Sequence, residues 1–213
     1  MTVVVEENGL RISRLRLGPW QTNAYVLIDL LAKASLVVDA PAEANSIVAE
    51  LAGSTPKYIL LTHNHLDHIG ALQELKNKLK VTFACHPLDS AGLSISVDAP
   101  LKGGERLRLG NHELIVIHSP GHTRGSLCFL VDNFLISGDT LFPGGPGNTR
   151  SSADFKEIVR SIKEKLMVLP DETTVYPGHG EPTTLAKEKA QFAGFSARPH
   201  GPDLHGDVTW LSS

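Results

Sequence analysis

The chain has 213 residues, of which 41% are hydrophobic and 20% charged, and a formal net charge of −3. A chain this long is expected to form one compact domain and to bury on the order of 70% of its unfolded surface, enough to fold without disulfides or a structural metal. This balance excludes wholesale disorder and a broad electrostatic footprint for nucleic acid or anionic lipid.

Short β-rich runs separated by turn signals fill the first forty residues, at 3–5, 10–17, 24–30 and 36–38, and predict an antiparallel meander. Residues 42–51 have helical composition and stop at Gly53; residues 57–61 read as a buried strand. A helix is expected next, because Ile69, Leu72, Leu75 and Leu79 form an apolar stripe opposite Gln73, Glu74, Lys76 and Lys78. Strands are predicted at 81–84, 114–117, 127–131 and 134–136, the last two joined by Asp132-Asn133, a two-residue hairpin signal. Ser151 and Asp154 form a capping-box pattern ahead of Phe155, Ile158, Val159, Ile162 and Leu166, so a helix follows and ends before Pro170. A strand at 173–176 and a helix at 184–192 complete residues 1–193 as one domain, and 194–213 reads as an irregular tail that either wraps the body through Trp210 and Leu211 or hangs free.

The two cysteines, Cys85 and Cys128, sit in apolar runs without a C-x-x-C pair and read as small buried hydrophobes. The first residues carry neither a basic region nor a long apolar one, and no 18-residue apolar run occurs, so a soluble cytoplasmic protein is expected, without membrane or nucleic-acid partners.

The 10 histidines are the compositional excess that needs explaining. Residues 62–68 read Thr-His-Asn-His-Leu-Asp-His, an H-x-H-x-D-H pattern whose chance occurrence in this composition is about one in a thousand. In extended backbone His63 and His65 point the same way, while Asp67 and His68, where the chain turns into a helix, face a neighbouring point. One stretch can therefore serve two metal ions, but four side chains cannot enclose both. Further candidates stand just past predicted strands: His122 in Pro-Gly-His-Thr, Asp139 in Ser-Gly-Asp-Thr and His179 in Pro-Gly-His-Gly, each preceded by a glycine that lets backbone approach a shared centre.

From about residue 20 to 190 this pattern resembles the metallo-β-lactamase superfamily, with H-x-H-x-D-H followed by single His, Asp and His residues. The resemblance implies an α/β fold, the αββα sandwich, in which two mixed sheets carry helices on their outer faces and a metal site lies at one edge between them. It assigns His63, His65 and His122 to one metal and Asp67, His68 and His179 to the other, with Asp139 bridging. Superfamily β-lactamases typically have Cys or Ser at the position of Asp139, and flavodiiron relatives have Glu at that of His65, which argues against antibiotic hydrolysis and against oxygen or nitric oxide reduction. Residues 138–142 and 177–184 are similar to glyoxalase II, the hydroxyacylglutathione hydrolases, especially their short bacterial relatives. Two features depart from that family: these 213 residues leave no room for its helical C-terminal domain, and its usual Gly-Arg pair is replaced by Gly147-Asn148-Thr149-Arg150.

The expected activity is hydrolysis of a small-molecule acyl-thiol. A hydroxide held between two divalent ions, zinc by preference and iron or manganese otherwise, attacks the thioester carbonyl, and Asp67 orients it or handles its proton. Arg150 is the candidate for a substrate carboxylate. The alternatives are an iron-dependent persulfide dioxygenase using His63, His122 and Asp139, a lactone or phosphodiester hydrolase on the same site, and a degenerate metal-binding module. His118 is expected in a strand or behind the ligands, His86 and His112 at the surface or in turns, and His200 and His205 either idle or folded over the metal mouth.

Overall fold

Alternation of inward and outward side chains builds the amino-terminal half as the sequence leads one to expect. Strands β1 (Thr2–Glu7), β2 (Leu10–Leu17), β3 (Thr22–Asp29) and β4 (Ala34–Val38) pair antiparallel in order. Strands β5 (Thr55–Leu60), β6 (Thr82–Cys85) and β7 (Ala99–Pro100) then add in parallel, giving a mixed seven-stranded sheet. The second sheet has the order β15-β14-β11-β10-β9-β8, from β8 (Arg106–Leu109), β9 (His112–His118), β10 (Leu127–Val131), β11 (Phe134–Gly138), β14 (Thr174–Pro177) and β15 (Thr183–Thr184). Its pairs are antiparallel except β11 with β14. Between β11 and β14 a two-stranded ribbon, β12 (Leu141–Phe142) with β13 (Gly145–Pro146), reaches out. This computed structural model describes residues 1–212.

The period of two decides which layer each side chain joins. Tyr25, Leu27, Leu36 and Val38 of the first sheet meet Leu127, Phe129, Val131 and Ile136 of the second in the central core. Their neighbours Val26, Ile28 and Val37 face outward against α1 (Ala44–Glu50) and α3 (Leu72–Leu79), through Ile47, Leu72 and Leu75. On the far side, Leu135 and Val175 pack under α4 (Ser152–Ser161) and α5 (Leu185–Ser196), through Phe155, Ile158, Leu185 and Phe195. Three apolar layers, helix-sheet, sheet-sheet and sheet-helix, make the αββα sandwich. Cys85 belongs to the first outer layer and Cys128 to the second, so the two free, buried thiols lie on opposite faces of the sandwich. Burial pushes Cys85 up to about 12 and Cys128 up to about 11, which keeps both as unreactive thiols.

Local signals are realised where they are self-contained. Ser151 Oγ accepts from Asp154 N at 3.2 Å and donates to the Asp154 carboxylate at 2.7 Å, capping α4. Val131 pairs with Phe134 around the Asp132-Asn133 turn. Elsewhere the fold departs from expectation. The helix after the histidine cluster is two pieces, α2 (Leu66–Ile69) and α3, because Ala40 N donates to His68 O (2.9 Å) and Ala71 N to Ala40 O (2.8 Å), which ties the junction to the strand end. Helix α4 continues into a π-turn, Ile162–Leu166. Helix α5 runs to Ser196, past the boundary drawn at residue 193, so the irregular segment starts later. That segment wraps the body: Trp210 is fully buried, 5.1 Å from both Phe192 and Phe195, while Leu211 stays exposed. Ser213, the last residue of the expected tail, lies outside the described residues. Among the described residues no helix is long and apolar enough to cross a membrane.

Candidate metal centre

Strands β4 and β5 run parallel, as do β9, β11 and β14, so their carboxyl ends deliver loops to one edge of the sandwich. Three contacts fasten the sheets there: Asn23 N donates to Gly178 O (2.7 Å), Tyr25 OH donates to Pro177 O (2.7 Å) and Leu127 N donates to Thr62 O (2.8 Å). The seven residues expected as ligands, four from one turn and three from far along the chain, converge at this edge. His63, His65 and His122 bring ligand atoms within 4.8 Å of one another, as do His63, His68 and Asp139, and Asp67, His68 and His179. His122 Nε2 lies 2.9 Å from His65 Nδ1, and His179 Nε2 3.0 Å from Asp67 Oδ2. Asp139 stands between the groupings, with Oδ1 3.5 Å from His68 Nε2 and Oδ2 3.6 Å from His122 Nε2 and 3.8 Å from His179 Nε2.

Two glycines make the approach possible. Gly138 lies in the left-handed region (φ 49°), where its backbone abuts Thr62, and a Cβ on Gly178 would stand 2.1 Å from Asp139 Oδ1.

The rings are aimed by groups that sequence reading does not single out. Asp39, itself at φ 63°, accepts from Thr62 N, Thr62 Oγ1 and His68 Nδ1, each at 2.8 Å. Thr62 Oγ1 also lies 3.0 Å from His63 Nδ1. With the Thr62 hydroxyl donating to Asp39, the consistent assignment puts the ring protons of both His63 and His68 on Nδ1 and leaves each Nε2 bare. His122 Nδ1 is likewise held by Asn148 O at 2.8 Å. The signal for Asp39 was present, since it ends a buried strand as the other candidates do, but it stands alone without a motif.

Nε2 of His63, Nε2 of His68 and Oδ1 of Asp139 are buried and make no hydrogen bond among the described residues. An unmet buried polar atom costs about 1–3 kcal/mol, and these three lie within 4.8 Å of one another, at a centre where divalent cations would satisfy them. Imidazole nitrogen and carboxylate oxygen suit zinc, iron or manganese, so the residues present fit a metal. Electrostatics agree. Burial, reinforced by the surrounding imidazoles, holds His63 well below its usual 6.5, neutral as a ligand must be. Burial opposes charge on His68 too, but the carboxylates of Asp39 and Asp139 outweigh it and push its pKa up to about 10; a bound cation would take the place of that proton. Burial works against ionisation of Asp67 and Asp139, and the imidazoles around them prevail, holding both carboxyls below the usual range.

Two cavities flank His122. The larger, about 670 Å³, runs from His65 and His122 along Arg124, Arg150 and the first turns of α4. The smaller, about 350 Å³, lies between Phe142, the glycine-rich ribbon, His179 and residues Asp207, Val208 and Thr209 of the tail. Arg150 thus lines the cleft, whereas the tail histidines do not cover the metal mouth. His200 stacks on Phe195 at 3.8 Å and His205 turns back to Asp203 O (2.6 Å); the tail reaches the site through Asp207–Thr209 instead. His118 ends β9 and stacks on His86 at 4.1 Å, so His86 is buried rather than at the surface. His112 pairs with Asp132 at 3.2 Å.

Residues 17–179 match the family described as the Metallo-beta-lactamase superfamily. The chain is 35% identical over 200 residues to the "Probable metallo-hydrolase YqgX" of Bacillus subtilis, covering 84% of this chain and 94% of that protein. It is 32% identical over 180 residues to the "Hydroxyacylglutathione hydrolase GloC" of Haemophilus influenzae, covering 74% and 85%. Among solved structures, the BLEG-1 B3 metallo-β-lactamase superposes with a TM-score of 0.74 at 32% identity, covering 84% of this chain and 96% of that one. The di-iron-bound form of TTHA1623 gives 0.69 at 35%, covering 83% and 96%. With the match running from the second strand to the last site histidine, over a sandwich of the same architecture, the chain belongs to the metallo-β-lactamase superfamily of metal-binding hydrolases.

Proposed function

We propose that this protein is a dinuclear metallo-hydrolase of acyl thioesters, with His63, His65 and His122 holding one ion, Asp67, His68 and His179 the other, and Asp139 shared. The observation that carries the reading is the arrangement at the sandwich edge: Asp139 lies between two His-rich groupings, and a cavity opens on each side of His122, as a substrate with an acyl arm and a thiol arm requires. The name of the Haemophilus influenzae relative supports the same class. Zinc is the first choice for the imidazole-rich set, with iron second, in keeping with the di-iron form of TTHA1623.

Two such ions supply Lewis acidity toward a carbonyl and lower the pKa of water from about 15.7 toward about 7. The chain supplies the rest. Asp39 and Thr62 fix the tautomers that present Nε2 of His63 and His68. Asp67, steadied by Thr22 Oγ1 at 3.2 Å, orients the attacking water from the open side, where it is partly exposed. Phe142 lies against the His179 ring, centroids 6.5 Å apart, and walls the smaller cavity. The leaving thiol, with a pKa of about 8.5, departs as thiolate and needs no proton from the protein.

The test is a panel of thioesters with one acyl group and varied thiols, given to zinc- and iron-loaded protein, with thiol release followed by a chromogenic disulfide. Absence of turnover in every loaded form overturns the proposal. The second reading is β-lactam hydrolysis, favoured by the 32% identity to BLEG-1, and a chromogenic cephalosporin in the same panel tests it. One iron per chain with oxygen uptake on a glutathione persulfide would replace both readings with the dioxygenase.

A further inference from the structure

Every arginine side chain among the described residues is engaged by a carboxylate or carbonyl oxygen except two, Arg124 and Arg150. Both are exposed, and both line the same cavity of about 670 Å³ that ends on His65 and His122. The acidic groups on that wall are already occupied. Asp89 accepts from Thr123 Oγ1 (2.7 Å), Gly125 N (2.9 Å) and Asn64 N (3.2 Å), Asp154 accepts from Ser151 Oγ, and Glu157 pairs with Arg160 at 2.6 Å.

The backbones carrying the two cations are fixed. His118 Nε2 reaches Arg124 O at 3.0 Å and Gly125 N is anchored on Asp89. Arg150 lies between the Thr149–Gly206 bridge and Ser151, the cap of α4. Two guanidiniums on rigid supports, without counter-ions and facing one cleft, form a pre-organised receptor for anions. The smaller cavity offers no lysine or arginine; of its two carboxylates, Asp139 stands among the site histidines and Asp207 is taken by Asn148 Nδ2 at 2.8 Å.

We infer that the larger cavity is an anion subsite in which Arg124 and Arg150 bind carboxylate or phosphate groups on the substrate's thiol arm, leaving the acyl arm to the smaller cavity. Assignment of the cavity to the thiol arm rests on the thioester-hydrolase reading; the anion subsite does not.

The experiment is isothermal titration calorimetry on the zinc-loaded full chain with S-methylglutathione, which carries two carboxylates, with its neutralising diester, and with S-methyl-coenzyme A, which carries phosphates. Each is repeated with Arg124→Gln and Arg150→Gln. The expected result is at least tenfold weaker binding of one anionic probe in each variant and a salt-dependent wild-type affinity, with the diester binding weakly and indifferently to the substitutions. Whichever probe responds identifies the anion as carboxylate or phosphate. Failure of both anionic probes to bind, a response under twofold to both substitutions, or equal weakening of the diester overturns the subsite. Arginine-dependent binding without turnover of any thioester sinks the hydrolase reading and leaves the subsite. Thioester turnover with KM unchanged in both variants does the reverse.

Discussion

Replacing Asp39 with Asn preserves shape and tests whether this carboxylate sets the ligand tautomers. Asp39 Oδ2 receives two hydrogen bonds, from Thr62 Oγ1 and His68 Nδ1, and Oδ1 receives Thr62 N. An Asn that keeps Thr62 N on its carbonyl turns its NH2 toward His68 Nδ1. Two donors then oppose each other in a fully buried place, and the resolution is for the His68 proton to move to Nε2, the atom that faces Asp67 and Asp139. A protonated Nε2 cannot ligate. Loss of such an orienting partner typically weakens metal binding 10- to 100-fold, or about 1.4–2.7 kcal/mol. The assay is chelator competition on purified Asp39→Asn, with nitrogen NMR of the imidazoles reporting the tautomer. Affinity within twofold of wild type, with His68 still protonated on Nδ1, would falsify the argument.

The other expectations follow from single contacts. Gly178→Ala places a Cβ against Asp139 Oδ1 and 2.7 Å from His68 Cε1, so metal content should fall more than tenfold while far-ultraviolet circular dichroism is unchanged; full metal occupancy refutes the close approach. Asp67→Ala should lower kcat far more than it raises KM wherever metal analysis shows both ions retained, and a pure KM effect would contradict its orienting role. Burial alone would raise the pKa of Asp29, but the N–H groups of Asn111, Ala32 and Leu31 outweigh it and hold the carboxyl below its usual 3.8. Its contribution to stability is therefore present above about pH 4 and lost as pH falls through the lower folded value. Asp29→Asn should flatten the acid limb of a melting-temperature profile, and an unchanged limb rejects the assignment. Trp210→Ala should cost about 3–5 kcal/mol in urea unfolding, as for a buried aromatic, whereas an exposed tail would show almost no loss.

Much of the site was readable because its ligands are local events. His63, His65, Asp67 and His68 share one turn, and His122, Asp139 and His179 each follow a run whose alternation or aliphatic content marks a strand end. Spacing within a turn and period-two burial are properties of the chain itself, so the sequence alone determined the meander, the capped α4, the hairpin at Asp132-Asn133 and the inventory of seven candidate ligands. What it could not supply is anything defined by partners distant along the chain. Asp39 orients His68 from 29 residues away, and Tyr25 and Asn23 clamp Pro177 and Gly178 from across the sandwich. The split of α2 from α3 is imposed by Ala40, and the burial of Trp210 by a slot between Phe192 and Phe195. Arg124 acquires meaning only once the fold sets it on the same cavity as Arg150, with the carboxylates of that wall already hydrogen-bonded or ion-paired. Covalent spacing and side-chain periodicity fix local geometry, whereas tautomers, unpaired charges and cavities arise from long-range packing, which tertiary structure alone decides.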